Sequence, residues 1–145
     1  FTSARTGAGI GELLHVLASL APNPAEGNPP PFYKGEPGQG AEPFHAVPDA
    51  SRHVLAHVFK IIADPYMGKV GIFRVHQGTV RKDSQLFVGD GKKPFKVGHL
   101  YQLQGKDYVE VDSLLPGDIG AVAKVEEIDF DAVLHDSHDE DHIHL

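Results

Sequence analysis

The sequence predicts a mainly β chain: a closed antiparallel barrel preceded by one α-helix. Three observations carry that prediction. Between residues 51 and 134, short apolar runs are separated by Gly-containing turns such as Gly89-Asp90-Gly91 and Pro116-Gly117-Asp118. Before them, residues 10–21 place apolar side chains at helical spacing. Eight of the eleven prolines fall in residues 22–50, where neither a helix nor a central strand can persist.

The helix is read from Ile10, Leu13, Leu14, Leu17 and Leu20 or Ala21, which form one apolar stripe after Gly7 and Gly9. A helix this short is not stable alone in water, so the stripe must bury against something. Its partner is expected to lie outside this chain. Residues 22–50 (Pro22, Pro24, Pro29, Pro30, Pro31, Pro37, Pro43, Pro48, with Gly27, Gly35, Gly38 and Gly40) read as an extended linker or a long wrapped loop.

Then come the strands. Residues 54–61 are apolar on both faces and end near Asp64-Pro65. Val70 to Val75 is the next, stopping at Gln77-Gly78, and Gln85 to Val88 runs into the Gly89-Asp90-Gly91 hairpin signal. Residues 95–104 read as one alternating strand, with Phe95, Val97, Tyr101 and Leu103 on one parity. Val109 and Val111 form a shorter strand, and Ile119, Ala121, Ala123 and Val125 alternate again. No internal repeat is visible.

Composition bounds the function. The chain has 145 residues, 41% of them hydrophobic, enough for one domain and a small extra piece. No cysteine is present, which excludes disulfides and thiolate metal sites and fits a reducing compartment. No run of about 18 apolar residues could cross a membrane. The first residue is Phe1 and no signal peptide follows it, so the chain reads as a piece of something longer. Net charge is −7, which by itself argues against nucleic acid. The distribution reverses that: residues 51–110 carry ten basic and five acidic side chains, or +5, and the remainder carries −12.

Two motifs then bear on function. The first is Thr2-Ser3-Ala4-Arg5, followed by Thr6-Gly7-Ala8-Gly9-Ile10 and Glu12-Leu13-Leu14. A Ser-Ala turn ahead of a helix can offer backbone N–H groups to a carbonyl acceptor, or be an ordinary turn. It resembles the guanine-contacting fifth motif of P-loop GTPases. The second runs through Phe59-Lys60-Ile61, Asp64-Pro65, Gly68, Phe73-Arg74-Val75, Gly78 and Gly117-Asp118-Ile119. In order and spacing it resembles domain II of bacterial elongation factor G.

That resemblance implies a translational GTPase that binds and hydrolyses GTP with Mg²⁺ on the ribosome, in the cytoplasm. Within it, residues 1–21 would end the GTPase domain, 22–50 link the domains, 51–134 form domain II, and 135–145 lead to the next domain. Ser3, Ala4 and Arg5 would contact guanine only in the parent. The barrel would be of the six-stranded, Greek-key-like translation-factor type, pack on its own GTPase domain and touch small-subunit ribosomal RNA; neither a membrane nor DNA is expected as a partner. No phosphate-binding loop, Mg²⁺-site Asp or Asn-Lys-x-Asp motif occurs here, so no catalytic residue and no cofactor is expected in this chain.

Three departures point toward the divergent elongation-factor-G-like branch. Arg5 replaces a usual Lys. The turn glycine of Gly-x-Leu-x-x-Gly-Asp is lost in Gly78-Thr79-Val80-Arg81-Lys82-Asp83-Ser84, and a His/Asp-rich tail replaces Thr-Gly-Asp-Thr-Leu.

The expected RNA-facing set is Arg74, Arg81, Lys82, Lys92, Lys93 and Lys96, read as lying on neighbouring strands or the turns between them; a merely solvated surface is the alternative. Arg74, inside a strand, could instead pair with an acid within the fold. The tail offers His135, His138, His142 and His144 with Asp136, Asp139, Glu140 and Asp141, but its spacing closes no familiar metal site, so no metal is expected and the tail is read as mobile. A stand-alone RNA-binding or His-rich metal-binding barrel is the alternative function. An enzyme using the histidines is a third reading, without a Ser-His-Asp or carboxylate-pair arrangement behind it.

Overall fold

Two long strands organise the molecule. In the computed structural model, which describes residues 1–23, 26, 31–36, 40–140 and 142–145, Leu55–Asp64 and Gly68–Gln77 pair along their whole length. Of the linker and tail residues singled out above, Pro24, Gly27, Pro29, Pro30, Pro37, Gly38, Asp141 and the Glu140 side chain lie outside the described residues. The turn between the two strands is set by its own sequence. The Asp64 carboxylate accepts hydrogen bonds from the Tyr66 and Met67 amides, both at 2.8 Å, and Gly68 takes a φ of 71°.

The elements are α1 (Ile10–Leu20), β1 (Phe32–Lys34), β2 (Glu42–Phe44), β3 (Leu55–Asp64), β4 (Gly68–Gln77), β5 (Val80–Arg81), β6 (Gln85–Val88), β7 (Phe95–Lys96), β8 (Leu100–Gln104), β9 (Asp107–Glu110), β10 (Ser113–Leu114), β11 (Ile119–Ala123), β12 (Val133–His135) and β13 (Ile143–His144), with a 3₁₀ turn at His138–Glu140. All strand pairs are antiparallel. The main sheet has eight strands in the order β7-β6-β12-β3-β4-β11-β8-β9. Leu86 of β6 and Leu100 of β8 stand far apart in that order, yet both belong to one buried cluster with Val58, Phe73, Val80, Leu114 and Leu134. The sheet therefore curls around that core as a half-barrel.

This corrects the expected closed six-stranded barrel. The outer strands β7 and β9 are not paired with each other, so the sheet is open. The reason lies in residues 95–104. Val97 stays with the segment that leads into β6, in an irregular pairing: its amide donates to the Ser84 carbonyl at 2.9 Å, and its carbonyl accepts from the Asp83 amide at 2.8 Å. Val97 and Leu100, of opposite parity, are both fully buried, so one expected strand is two. Near that break β5 and β10 form a separate two-stranded ladder.

The outer face of the main sheet carries two smaller clusters. Val70, Ile72 and Ala121 form one. Phe32, Leu55, Val133 and Ile143 form the other, beneath the three-stranded sheet β13-β1-β2. The Pro-rich stretch thus supplies two short strands, and the tail supplies β13 instead of remaining mobile, because Phe32 and Ile143 give each segment one apolar side chain to bury. The helix forms as its periodicity requires. None of its residues is buried, and Leu13, Leu14, Leu17 and Leu20 remain 40–77% exposed.

Candidate nucleic-acid interface

The β6–β7 hairpin presents the first pair of cations. Gln85 and Leu86 pair with Lys96 and Phe95. The turn closes through the Gly91 amide, which donates to the Val88 carbonyl at 2.9 Å, with Gly89 at a φ of 51°. Lys92 and Lys93 follow, both exposed, and with Val88, Phe95 and Glu127 they border a shallow concavity. Neither has an ion-pair partner among the described residues.

The other four cations differ in electrostatic state. Lys82 Nζ donates to Glu110 Oε1 at 2.7 Å, and His99 Nδ1 lies 3.1 Å from the same oxygen. The hydrogen bond to Glu110 raises the Lys82 ammonium above its ordinary value, and the bond from Lys82, followed by that of His99, lowers the Glu110 carboxyl. Lys96 pairs with Asp83 at 2.7 Å and holds that carboxyl low. Such exposed pairs add little stability, but each cancels a charge that could meet phosphate. Arg81, exposed on β5, and Arg74, half-buried on β4 between His57 of β3 and Ile119 of β11, have no carboxylate partner among the described residues.

The six expected cations occupy different parts of the sheet. Arg81, Lys82 and Lys96 share the end of the sheet where Val97 bridges to Asp83 and Ser84, and Lys92 and Lys93 sit at the hairpin turn. Arg74 is separated from that hairpin by β12 and β3. Of the six, Arg74, Arg81, Lys92 and Lys93 have no carboxylate partner among the described residues.

Ser3, Ala4 and Arg5 form the turn ahead of α1. The Ser3 amide donates to the Ala8 carbonyl and the Ser3 carbonyl accepts from Gly7, both at 2.9 Å. The Ala4 and Arg5 amides have no hydrogen bond among the described residues, and both residues are exposed. Two backbone donors are thus left to an outside acceptor.

Several polar side chains make contacts that the sequence does not signal, among them tail histidines that it does single out. Gln77 is buried; its Oε1 accepts from the Val47 amide at 3.2 Å and its Nε2 donates to the His53 carbonyl at 3.1 Å. His135 is buried with Nδ1 2.8 Å from the Ser137 carbonyl and Nε2 2.7 Å from the Gly89 carbonyl, which ties the tail to the hairpin turn. The fold also brings Asp90 to His142 and His144. No local spacing signals these contacts.

His76 lies on the same face as Arg74, edge-on to Phe32 at 5.0 Å between ring centroids. Burial, then the nearby His57 and Arg74 charges, push its imidazole down to about 4. The unfolded chain titrates near 6.5, so between those values the unfolded state binds more protons. Stability is complete above the upper value and falls as pH drops toward the lower one. Allowing for screening at a partly exposed site, His76 accounts for about 2 kcal/mol of that fall. Urea midpoints at pH 7 and pH 4.5 check this: His76→Gln should narrow the difference between them, and an unchanged difference would exclude His76 as the source.

Residues 53–135 match the family model for elongation factor G domain 2. The chain belongs to the elongation factor G family. It is 27% identical over 113 residues to elongation factor G of Chlamydia caviae, covering 78% of this chain and 16% of that protein. A crystal structure from Thermus thermophilus superposes with a TM-score of 0.62 at 27% identity, covering 90% of this chain and 16% of that one. The chain thus spans about a sixth of the length of these relatives. The family resemblance also clarifies the lost turn glycine: Asp83 occupies the corresponding position and itself takes the left-handed conformation, φ 65°, with Lys96 on its carboxylate. Asp is among the few side chains that enter this region at modest cost.

Proposed function

We propose that this chain is the domain II portion of a translational GTPase, with the end of the GTPase domain at residues 1–21, and that it acts as a non-catalytic module. The parent binds and hydrolyses GTP with Mg²⁺ on the ribosome in the cytoplasm. The half-barrel transmits between the GTPase domain and the rest of the molecule and touches small-subunit ribosomal RNA. The match of residues 53–135 to elongation factor G domain 2 carries this reading. The uncovered Leu13, Leu14 and Leu17 of α1 suit packing within a GTPase domain, and the free Ala4 and Arg5 amides suit a guanine carbonyl.

RNA contact rests on Lys92 and Lys93, adjacent, exposed and without acidic partners among the described residues. A lysine on a phosphate releases counterions, so binding weakens with salt in proportion to the contacts made. Replacing both lysines by Glu should weaken association with the small subunit about tenfold or more at moderate salt. It should also flatten the dependence of log K on log salt by about 1.5. Pelleting across a salt series checks it. Equal affinity and equal slope for the two proteins would remove the hairpin from the interface.

A further inference from the structure

We propose that Asp90, His142 and His144 form a binding site for a divalent transition ion of the zinc type, which latches the C-terminal strand to the β6–β7 turn. One donor atom from each of the three residues lies within 4.8 Å of the others. His142 Nδ1 is 3.3 Å from Asp90 Oδ1, and His144 Nε2 is 3.8 Å from Asp90 Oδ2. A tetrahedral ion with bonds of about 2.0–2.1 Å requires donors about 3.3 Å apart along each edge. The His142–Asp90 separation matches that edge, and the remaining donors, all within 4.8 Å of one another, need to close by about 1.5 Å or less.

The surroundings hold the three side chains in place. Asp90 sits in the turn whose Gly89 amide donates to the Val133 carbonyl at 2.8 Å and whose Gly89 carbonyl is met by buried His135. The His142 amide donates to Asp90 Oδ1 at 2.9 Å, and the His142 carbonyl accepts from the Gly35 amide at 2.9 Å. His142 takes a φ of 61°, a left-handed state uncommon for a non-glycine residue, held here by those two backbone bonds. His144 is fixed by pairing with Tyr33, and buried Ile143 points away from the site between the two histidines.

One atom distinguishes this group from a surface ion pair. His144 Nε2 is buried and has no hydrogen-bond partner among the described residues; Asp90 Oδ2, at 3.8 Å, is too far. A buried nitrogen without a partner is costly, and a metal ion at the centre of the group would satisfy it. Two imidazoles and one carboxylate suit zinc and its neighbours, not Mg²⁺ or Ca²⁺, which prefer all-oxygen shells. Three protein ligands leave a fourth position for water or another donor.

The test is titration of the 145-residue chain with Zn²⁺ alone by calorimetry, and with Co²⁺ read by its visible absorption. One ion per chain and a Co²⁺ spectrum of tetrahedral intensity are expected. An ion at 100 times its dissociation constant favours the folded form about 100-fold, so the thermal midpoint should rise with metal. Asp90→Asn, which keeps an acceptor for the His142 amide, and the double variant His142→Gln/His144→Gln should each weaken binding more than tenfold and abolish the metal-dependent rise. His99→Gln, beside Glu110 and outside the group, should bind as the unsubstituted chain does. Absence of one-to-one binding, or equal affinity in the Asp90 and double-histidine variants, would overturn the site.

Discussion

Phe73→Ala is expected to lower the unfolding free energy by about 4 kcal/mol, the largest effect of any single side-chain truncation considered for this chain. Phe73 is fully buried in the middle of β4, and its ring belongs to the cluster that draws the sheet into a half-barrel. Across the ladder it faces Val58 on β3 and Gly120 on β11. Gly120 cannot fill the space left by the ring. A side chain there would meet Leu114 Cδ1 at 2.0 Å and the Tyr101 carbonyl oxygen at 3.0 Å, so this stretch of β11 is already closely approached from two sides. Truncation therefore leaves a cavity that the neighbours close only in part, and the lost transfer energy and the cavity add. Phe73→Leu keeps most of the volume and should cost about 1–1.5 kcal/mol. Urea unfolding of both variants measures the contrast. Near-equal, small losses would mean that the sheet can close over the missing ring, and that Phe73 does not set its curvature.

Phe73 also shows what could be read without coordinates. The apolar run around it, from Val70 to Val75, marks β4 plainly, and the Gly89-Asp90-Gly91 signal marks the β6–β7 hairpin, because both depend on residues adjacent in the chain. The helix was legible for the same reason, with Ile10, Leu13, Leu14 and Leu17 on one stripe. What escaped depends on distant contacts. Val97 continues the alternation of its segment, and only its bonds to Asp83 and Ser84 split the strand and leave the sheet open. Phe32 and Ile143 each look isolated in polar surroundings, yet they meet beneath one small sheet. The basic residues were visible as a set, but their pairing was not: Lys82 and Lys96 are neutralised by Glu110 and Asp83, whereas Lys92 and Lys93 have no such partner among the described residues. The meeting of Asp90 and His142 spans 52 residues of chain, and no spacing rule within the tail could supply it.

Gly78→Ala should destabilise the chain by about 3 kcal/mol, although it adds one methyl group. Gly78 has a φ of 73°, and a Cβ there would lie 2.7 Å from the carbonyl carbon and oxygen of His53 and from the Cα of Val54. Those are main-chain atoms, so no side-chain rotation relieves the clash. The surrounding contacts resist displacement. The Gly78 amide donates to the Asp49 carbonyl at 3.0 Å, Gln77 reaches the Val47 amide and the His53 carbonyl, and Thr79 Oγ1 donates to the Ala50 carbonyl at 2.8 Å. Residues 77–79 thereby hold the segment that leads into β3, and Val54 beyond it is buried in the main core. Two costs combine: the left-handed backbone of a non-glycine residue, about 1–2 kcal/mol, and the separation of two closely apposed main chains. Gly105→Ala distinguishes them. Gly105 has a φ of 63° in the β8–β9 turn, with nothing within 4 Å of an added Cβ, so it should show the first cost alone. A Gly78 variant no less stable than the Gly105 variant would mean that the chain entering β3 yields readily, and that the grip of residues 77–79 does not fix where the half-barrel begins.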